Sequence, residues 1–204
     1  MLKIWGRANS INVQKVLWVA DEIGIAYERV DIGGPFGGNR EPAYLRLNPN
    51  GLVPTIDDDG FTLWESNSIV RYLAASRNSP LLPSAPKARA EAEHWMDWQL
   101  SSLPGMTTLF WGYIRTPPEK RDPQALEEAR VQTAEKWRIV DQHLASRPYL
   151  AGDSFTVGDI PVGAMAYRWL NLPIERPDLA NLRAWYERLT TRPPYRRHVM
   201  PPMT

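Results

Sequence analysis

Nine residues, "NSPLLPSAP" (Asn78 to Pro86), carry three prolines. Proline fixes φ, lacks an N–H and turns its predecessor away from helix, so no regular element runs through such a stretch. It divides the chain into parts of different character. Before it, strand and helix signals alternate. "LKIW" reads as a strand, and Val13, Val16, Leu17, Ala20 and Ile23 recur at helical spacing up to Gly24. "AYERVDI" alternates as a second strand, "GGPFGG" is a loop and "EPAYLRLN" a short helix. "LVPTIDDDGFTLW" is a hairpin about an Asp-Gly turn, and "ESNSIVRYLAAS" a closing helix. The expected fold class is α+β: a helix-covered sheet over residues 1–79, a linker over 80–86 and an all-helical domain over 87–204.

In the second part, Ala92, Trp95, Met96, Gln99 and Leu103 form one helical stripe, and "PQALEEARVQTAEKWRIVDQHLA" reads as another helix. A third starts at "SFTVGDI", where Thr156 and Asp159 have capping-box spacing with Asp in place of Glu or Gln. "LANLRAWYERLTTR" is the last helix, stopped by Pro193. The basic run "RPPYRR" beyond it reads as a solvated, proline-broken tail.

Composition removes several function classes. Basic and acidic residues nearly balance, 24 against 23, so there is no excess for a nucleic-acid backbone. Without cysteine the chain has no disulfide, thiolate metal site or thiol nucleophile of its own. "MLKIWGRANS" is no signal peptide, and no apolar stretch approaches a membrane span of ~20 residues. A cytoplasmic protein without membrane or nucleic-acid partners is expected. Gly33 and Gly38 have the spacing of a phosphate loop, but Asn39-Arg40 stands where Lys-Ser/Thr is needed. His94, His143 and His198 lie far apart with no ligand at metal spacing, so no metal site is expected. No G-x-S-x-G elbow occurs.

Three short stretches remain, each with an ordinary reading. In "GRANSINVQKVLW", Ser10 or Asn12 reads as a helix cap. In "NPNGLVPTI", Val53-Pro54 reads as the start of a strand. In "LWESNSIVRYL", Glu65-Ser66 reads as a first-turn acid and cap, favoured by the helix dipole. Together and in this order they resemble the cytosolic glutathione transferase family, in its bacterial theta-like and nu-like forms. "NPNGLVPTI…LWESNSIVRYL" is similar to the family's glutathione-site signature, and "SFTVGDI" to the cap of its helical domain.

The resemblance implies a thioredoxin-like N-terminal domain, an all-α C-terminal domain, a homodimer, and glutathione as co-substrate. Val53 matches the residue whose backbone pairs with the cysteinyl part of glutathione, and Pro54 the family's cis-proline. Glu65 and Ser66 match the pair that receives the γ-glutamyl end: a carboxylate for its ammonium, a hydroxyl and free N–H for its carboxylate. Leu52 stands where the family often has a Lys or Gln for the glycyl carboxylate. Asn39 and Arg40 align near another glycyl-contacting position, which gives Arg40 that role.

The same resemblance makes Ser10 the match of the theta-like catalytic serine and Asn12 that of the nu-like asparagine. The energetics suit either one. A thiol of pKa about 8.5 is only a few per cent ionised at neutral pH, and lowering it by ~2 units takes about 2.7 kcal/mol. One hydrogen bond to a charged group supplies ~1.5–3 kcal/mol, and a helix N-terminus roughly 0.3–1 more. Ser10 is expected to be the donor with Asn12 assisting. Met106, Phe110, Trp111 and Tyr113, in "PGMTTLFWGYIR", are candidates for a hydrophobic electrophile pocket and equally for core. Conjugation of small hydrophobic electrophiles is the expected reaction. Reduction of disulfides by bound glutathione is the alternative, and a non-enzymatic binding module the third reading.

Overall fold

Leu2 and Ile4 are buried and alternate with part-exposed Lys3 and Trp5, the period-two pattern of a half-covered strand. In the computed structural model, which describes residues 1–204, this is strand β1 (Leu2–Trp5). Helix α1 (Ile11–Glu22) crosses over to β2 (Tyr27–Val30), parallel to β1. After a short helix α2 (Pro42–Leu45) come β3 (Thr55–Asp58) and β4 (Phe61–Trp64), and then α3 (Ser66–Ser76). The sheet order is β2-β1-β3-β4, with β3 antiparallel to both neighbours and Ile4 opposite Ile56. This is a thioredoxin-like arrangement.

Every residue of α1 from Val13 to Ala20 is buried, so it is the central helix of this unit and packs on α3. Each Val or Leu in it contributes roughly 1.5–3 kcal/mol by leaving water. Helix α3 buries Ser66, Ile69, Val70, Leu73 and Ala74, one stripe at helical spacing.

The second unit is all-helical: α4 (Pro86–Ser102), α5 (Gly105–Phe110), α6 (Pro123–Leu144), α7 (Asp159–Asn171) and α8 (Ala180–Thr190). A single π-type turn, Trp111–Arg115, extends α5. Helix α6 buries Leu126, Ala129, Thr133, Trp137, Val140 and Leu144 in one stripe. Helix α7 is buried through its first turns and packs against α4, α5 and α8. Its approach to α4 depends on Gly158, where a Cβ would lie 2.6 Å from the Ala92 carbonyl oxygen. The expected capping box forms at its start. Asp159 accepts from the Thr156 N–H at 2.9 Å, and Thr156 Oγ1 accepts from the Gly158 N–H at 3.3 Å.

One expectation is overturned. "RPPYRR" is not a solvated tail: Pro193–His198 form a further helix, α9, and residues 193–201 cluster with the first unit, not the second. Proline is well placed in a first helical turn, so Pro193 starts a helix here as well as ending the previous segment. Tyr195 and Val199, four apart, are almost fully buried, and the Tyr195 ring meets the edge of Trp18 in α1 at 4.7 Å. Arg197 and His198 are held by Asp21 of α1, each at 2.8 Å. The compact units are therefore 1–82 with 193–201, and 83–192 with 202–204. No helix is long and apolar enough to cross a membrane.

Candidate active site

The first unit carries an open cleft of about 90 Å³. Its walls bring together Asn12, Val53, Pro54, Glu65 and Ser66 with Asn48, Asn50 and Leu52. The first five come from three separate stretches of sequence, and the fold gathers them because α1 and α3 both begin at this cleft, beside the entrance to β3.

Val53 presents backbone in the cleft. The Val53–Pro54 bond is cis, and the Val53 N–H and C=O make no hydrogen bond to the protein. Polar backbone left unpaired beside open space is a template for an added extended segment. The loop around it is tightly held. Buried Asn48 donates to the Leu52 carbonyl at 2.9 Å and to Thr55 Oγ1 at 3.1 Å, while accepting from the N–H of Asn50 at 3.1 Å. Tyr44 adds a 2.6 Å bond to the same Leu52 carbonyl, and burial pushes its phenol pKa up, so it stays a neutral donor. Sequence reasoning missed Tyr44, Asn48, Asn50 and Thr55. The Asx-turn potential of "NPNG" is the signal that could have found Asn48.

Glu65, at the cap position of α3, holds a left-handed backbone (φ 73°, ψ 109°). For a non-glycine residue this conformation costs on the order of 1–3 kcal/mol, and it concentrates at ligand sites. Its side chain makes no capping bond, although its carbonyl accepts the Ile69 N–H at 2.9 Å. Ser66 opens the helix with its backbone N–H free, as first-turn donors are. Its hydroxyl donates to Asn12 Oδ1 at 3.3 Å, tying α3 to α1. With the oxygen so used, the exposed Asn12 amide keeps its N–H donors uncommitted.

Ser10 sits at the N-cap of α1 with extended backbone (φ −80°, ψ 123°), yet its hydroxyl makes no capping bond. The simple cap reading therefore does not describe it. It is 9% exposed and is not among the residues lining the cleft. Asn39 and Arg40 also stand outside the lining. Asn39 donates to the Gly51 carbonyl at 2.7 Å and Arg40 to the Asn50 carbonyl at 3.2 Å, so both brace the loop that presents Val53. Gly51 has φ +61°, and a Cβ there would lie 2.7 Å from Arg40 Nη1.

In the helical unit, Met106 and Phe110 are buried, the latter beneath the Arg168 guanidinium at 3.6 Å. Trp111 is 53% exposed and Tyr113 part-exposed beside Arg121. Of the four candidate pocket residues, two are thus core and two reach solvent.

Residues 9–76 match the family model of the glutathione S-transferase N-terminal domain, and residues 123–188 that of the C-terminal domain. Glutathione S-transferase GstB of Escherichia coli strain K12 is 41% identical over 208 residues, covering all of both chains. The crystal structure of a theta class glutathione S-transferase from Xanthomonas axonopodis pv. citri, with glutathione bound, has a TM-score of 0.96 at 51% identity. That match covers 100% of this chain and 99% of the other. The E. coli disulfide-bond oxidoreductase YfcG is 26% identical, with 89% of this chain and 87% of YfcG covered. With both domain models matched and a relative aligned from end to end, the chain belongs to the glutathione S-transferase family.

Proposed function

We propose that this chain is a glutathione S-transferase that joins the sulfur of bound glutathione to small hydrophobic electrophiles. One observation carries the reading: unpaired Val53 backbone, the α3 N-terminus at Ser66 and the Glu65 carboxylate share one cleft. The cysteinyl part of the peptide pairs with Val53. Its γ-glutamyl carboxylate takes the Ser66 hydroxyl and N–H, and its ammonium takes Glu65. Ser10 donates its uncommitted hydroxyl to the sulfur with Asn12 assisting, so the thiol proton is lost to solvent at neutral pH. The thiolate attacks the electrophile, a thioether forms, and the leaving group departs with the electron pair of its broken bond. Exposed Trp111 and part-exposed Tyr113 are the residues of the helical unit suited to meet an apolar electrophile. The working location is the cytoplasm and the working form a homodimer, for which exposed Phe61 and Trp64 on edge strand β4 offer apolar surface. Light scattering should give twice the chain mass.

Turnover of a chromogenic aryl halide with glutathione tests the function. A second reading has one specific support, Asn12 on the cleft wall, together with the likeness to YfcG. There the thiolate would attack a disulfide to give a mixed disulfide and a released thiol, and a second glutathione would complete the reduction. Reduction of a small disulfide without aryl-halide turnover would establish it. Retention on glutathione resin with neither activity would mark a binding module.

Arg40 is assigned to the glycyl carboxylate, directly and through its hold on the Asn50 carbonyl. Arg40→Ala should raise KM for glutathione roughly ten-fold, the worth of one charge-assisted bond, with kcat nearly constant. An unchanged KM removes Arg40 from the site.

A further inference from the structure

Lys15 is the one charged side chain buried in the first unit, 0% exposed within α1. Taking an ammonium out of water is costly, and the start of a helix is the end whose dipole disfavours a cation. Val13, Val16 and Val19 fill the positions around it with hydrocarbon, at no such cost.

The place of this charge is informative. Helical side chains lean back toward the N-terminus, so Lys15 reaches over the turn that carries Asn12, three residues earlier. Its ammonium donates to Oδ1 of buried Asn67 at 3.5 Å. Asn67 is the second residue of α3, and the first, Ser66, is the one bonded to Asn12. Two links thus join the starts of α1 and α3: a neutral one on the cleft wall, and one from a cation in the core.

The cleft needs a cation. Its lining holds a single charged side chain, Glu65, and that is an anion. Glutathione brings two carboxylates and an ammonium. Glu65 suits the ammonium, and Arg40 is assigned the glycyl carboxylate. The γ-glutamyl carboxylate is left with the neutral hydroxyl and N–H of Ser66, next to a Glu65 carboxylate that repels it. Positive charge behind Ser66 offsets that repulsion, and a buried charge is screened little by salt.

On the glutathione reading of the cleft, we propose that Lys15 is a positioning residue. Acting through Asn67, its charge fixes the γ-glutamyl carboxylate at Ser66 and so selects peptides that carry one there.

Two probes test this by calorimetry. One is S-methylglutathione; the other is 4-aminobutanoyl-S-methylcysteinylglycine, the same peptide without the γ-glutamyl α-carboxylate. Lys15→Met and Lys15→Gln should each weaken S-methylglutathione roughly ten-fold, the scale of one charge–charge interaction near a protein surface. Both variants should bind the second peptide as wild type does. Lys15→Arg, which keeps the charge, should recover most of the affinity for the first. Equal losses for the two peptides overturn the proposal. So does wild-type affinity in Lys15→Gln, which still donates to Asn67. Should Lys15→Met fail to fold, the comparison of Lys15→Gln with Lys15→Arg decides. Wild type that binds S-methylglutathione beside unchanged variants overturns this proposal alone; wild type that does not bind it overturns the glutathione reading as well.

Discussion

Ser10→Ala should cost about 50-fold in conjugation rate at pH 6.5 and very little at pH 9. The reason is the ionised fraction of the bound thiol. On the proposed mechanism the hydroxyl holds the pKa of that thiol ~2 units below the free value of about 8.5, so half would be thiolate at pH 6.5; without it, about one per cent would be. Above pH 8.5 both enzymes hold mostly thiolate, and the difference closes. Ultraviolet titration of the thiolate in the binary complex reads the pKa directly, with KM for glutathione expected to stay nearly constant. The Ser10 hydroxyl suits this role because it makes no bond in capping α1. It is also nearly sequestered from water, where a hydrogen bond to an anion is strongest. Asn12→Ala should give a smaller rise. An unshifted pKa in Ser10→Ala beside a large shift in Asn12→Ala would reverse the two roles, and no shift in either would dispose of the mechanism.

Asp159→Ala should be the most damaging single change to stability, lowering it by about 4 kcal/mol or more. The carboxylate is fully buried at the start of α7 and accepts four hydrogen bonds. They come from the Leu150 N–H at 3.0 Å, the Thr156 N–H at 2.9 Å, the Thr156 hydroxyl at 3.3 Å and the Trp185 indole at 2.9 Å. Truncation strands buried donors at about 1–3 kcal/mol each, against a total stability of roughly 5–15. Urea unfolding measures the loss.

The same group gives a pH signature. Burial pushes its pKa up from 3.8 to about 6, outweighing the four donors, which favour the ionised form. The folded state therefore holds this proton more tightly than the unfolded chain does. The contribution is complete below pH 4 and fades as pH rises through 6. It amounts to a few kcal/mol, since a ten-fold difference in proton affinity is worth about 1.4 kcal/mol. Above pH 6 the group is ionised and its four donors are matched. Asp159→Asn should abolish this part of the pH dependence; a profile parallel to wild type between pH 4 and 6 would contradict the assignment.

Most of the fold and half of the site are legible in the sequence because local chemistry and tertiary placement agree. The hairpin is announced by "DDDG", the interdomain break by its prolines, and the start of α7 by Thr156 and Asp159, whose spacing alone predicts their bonds. What the sequence conceals depends on partners far along the chain. Nothing near Tyr195 says that it will meet Trp18, 177 positions earlier, so the basic run around it reads as a tail. Asn48 reads as turn punctuation, while the structure makes it the hub of the loop that displays Val53. Trp111 and Phe110 are adjacent aromatics in one helical segment, and only burial separates the exposed one from the core one.

Because α9 belongs to the sheet-bearing unit, that unit is discontinuous in the polypeptide. During synthesis its strands emerge early, but Trp18 and Asp21 must wait for more than a hundred further residues before their helical cover exists. The cleft proposed to hold glutathione is then assembled on a scaffold completed only after the whole helical unit has been made. A chain interrupted before residue 193 would leave a bare tryptophan where a lid belongs.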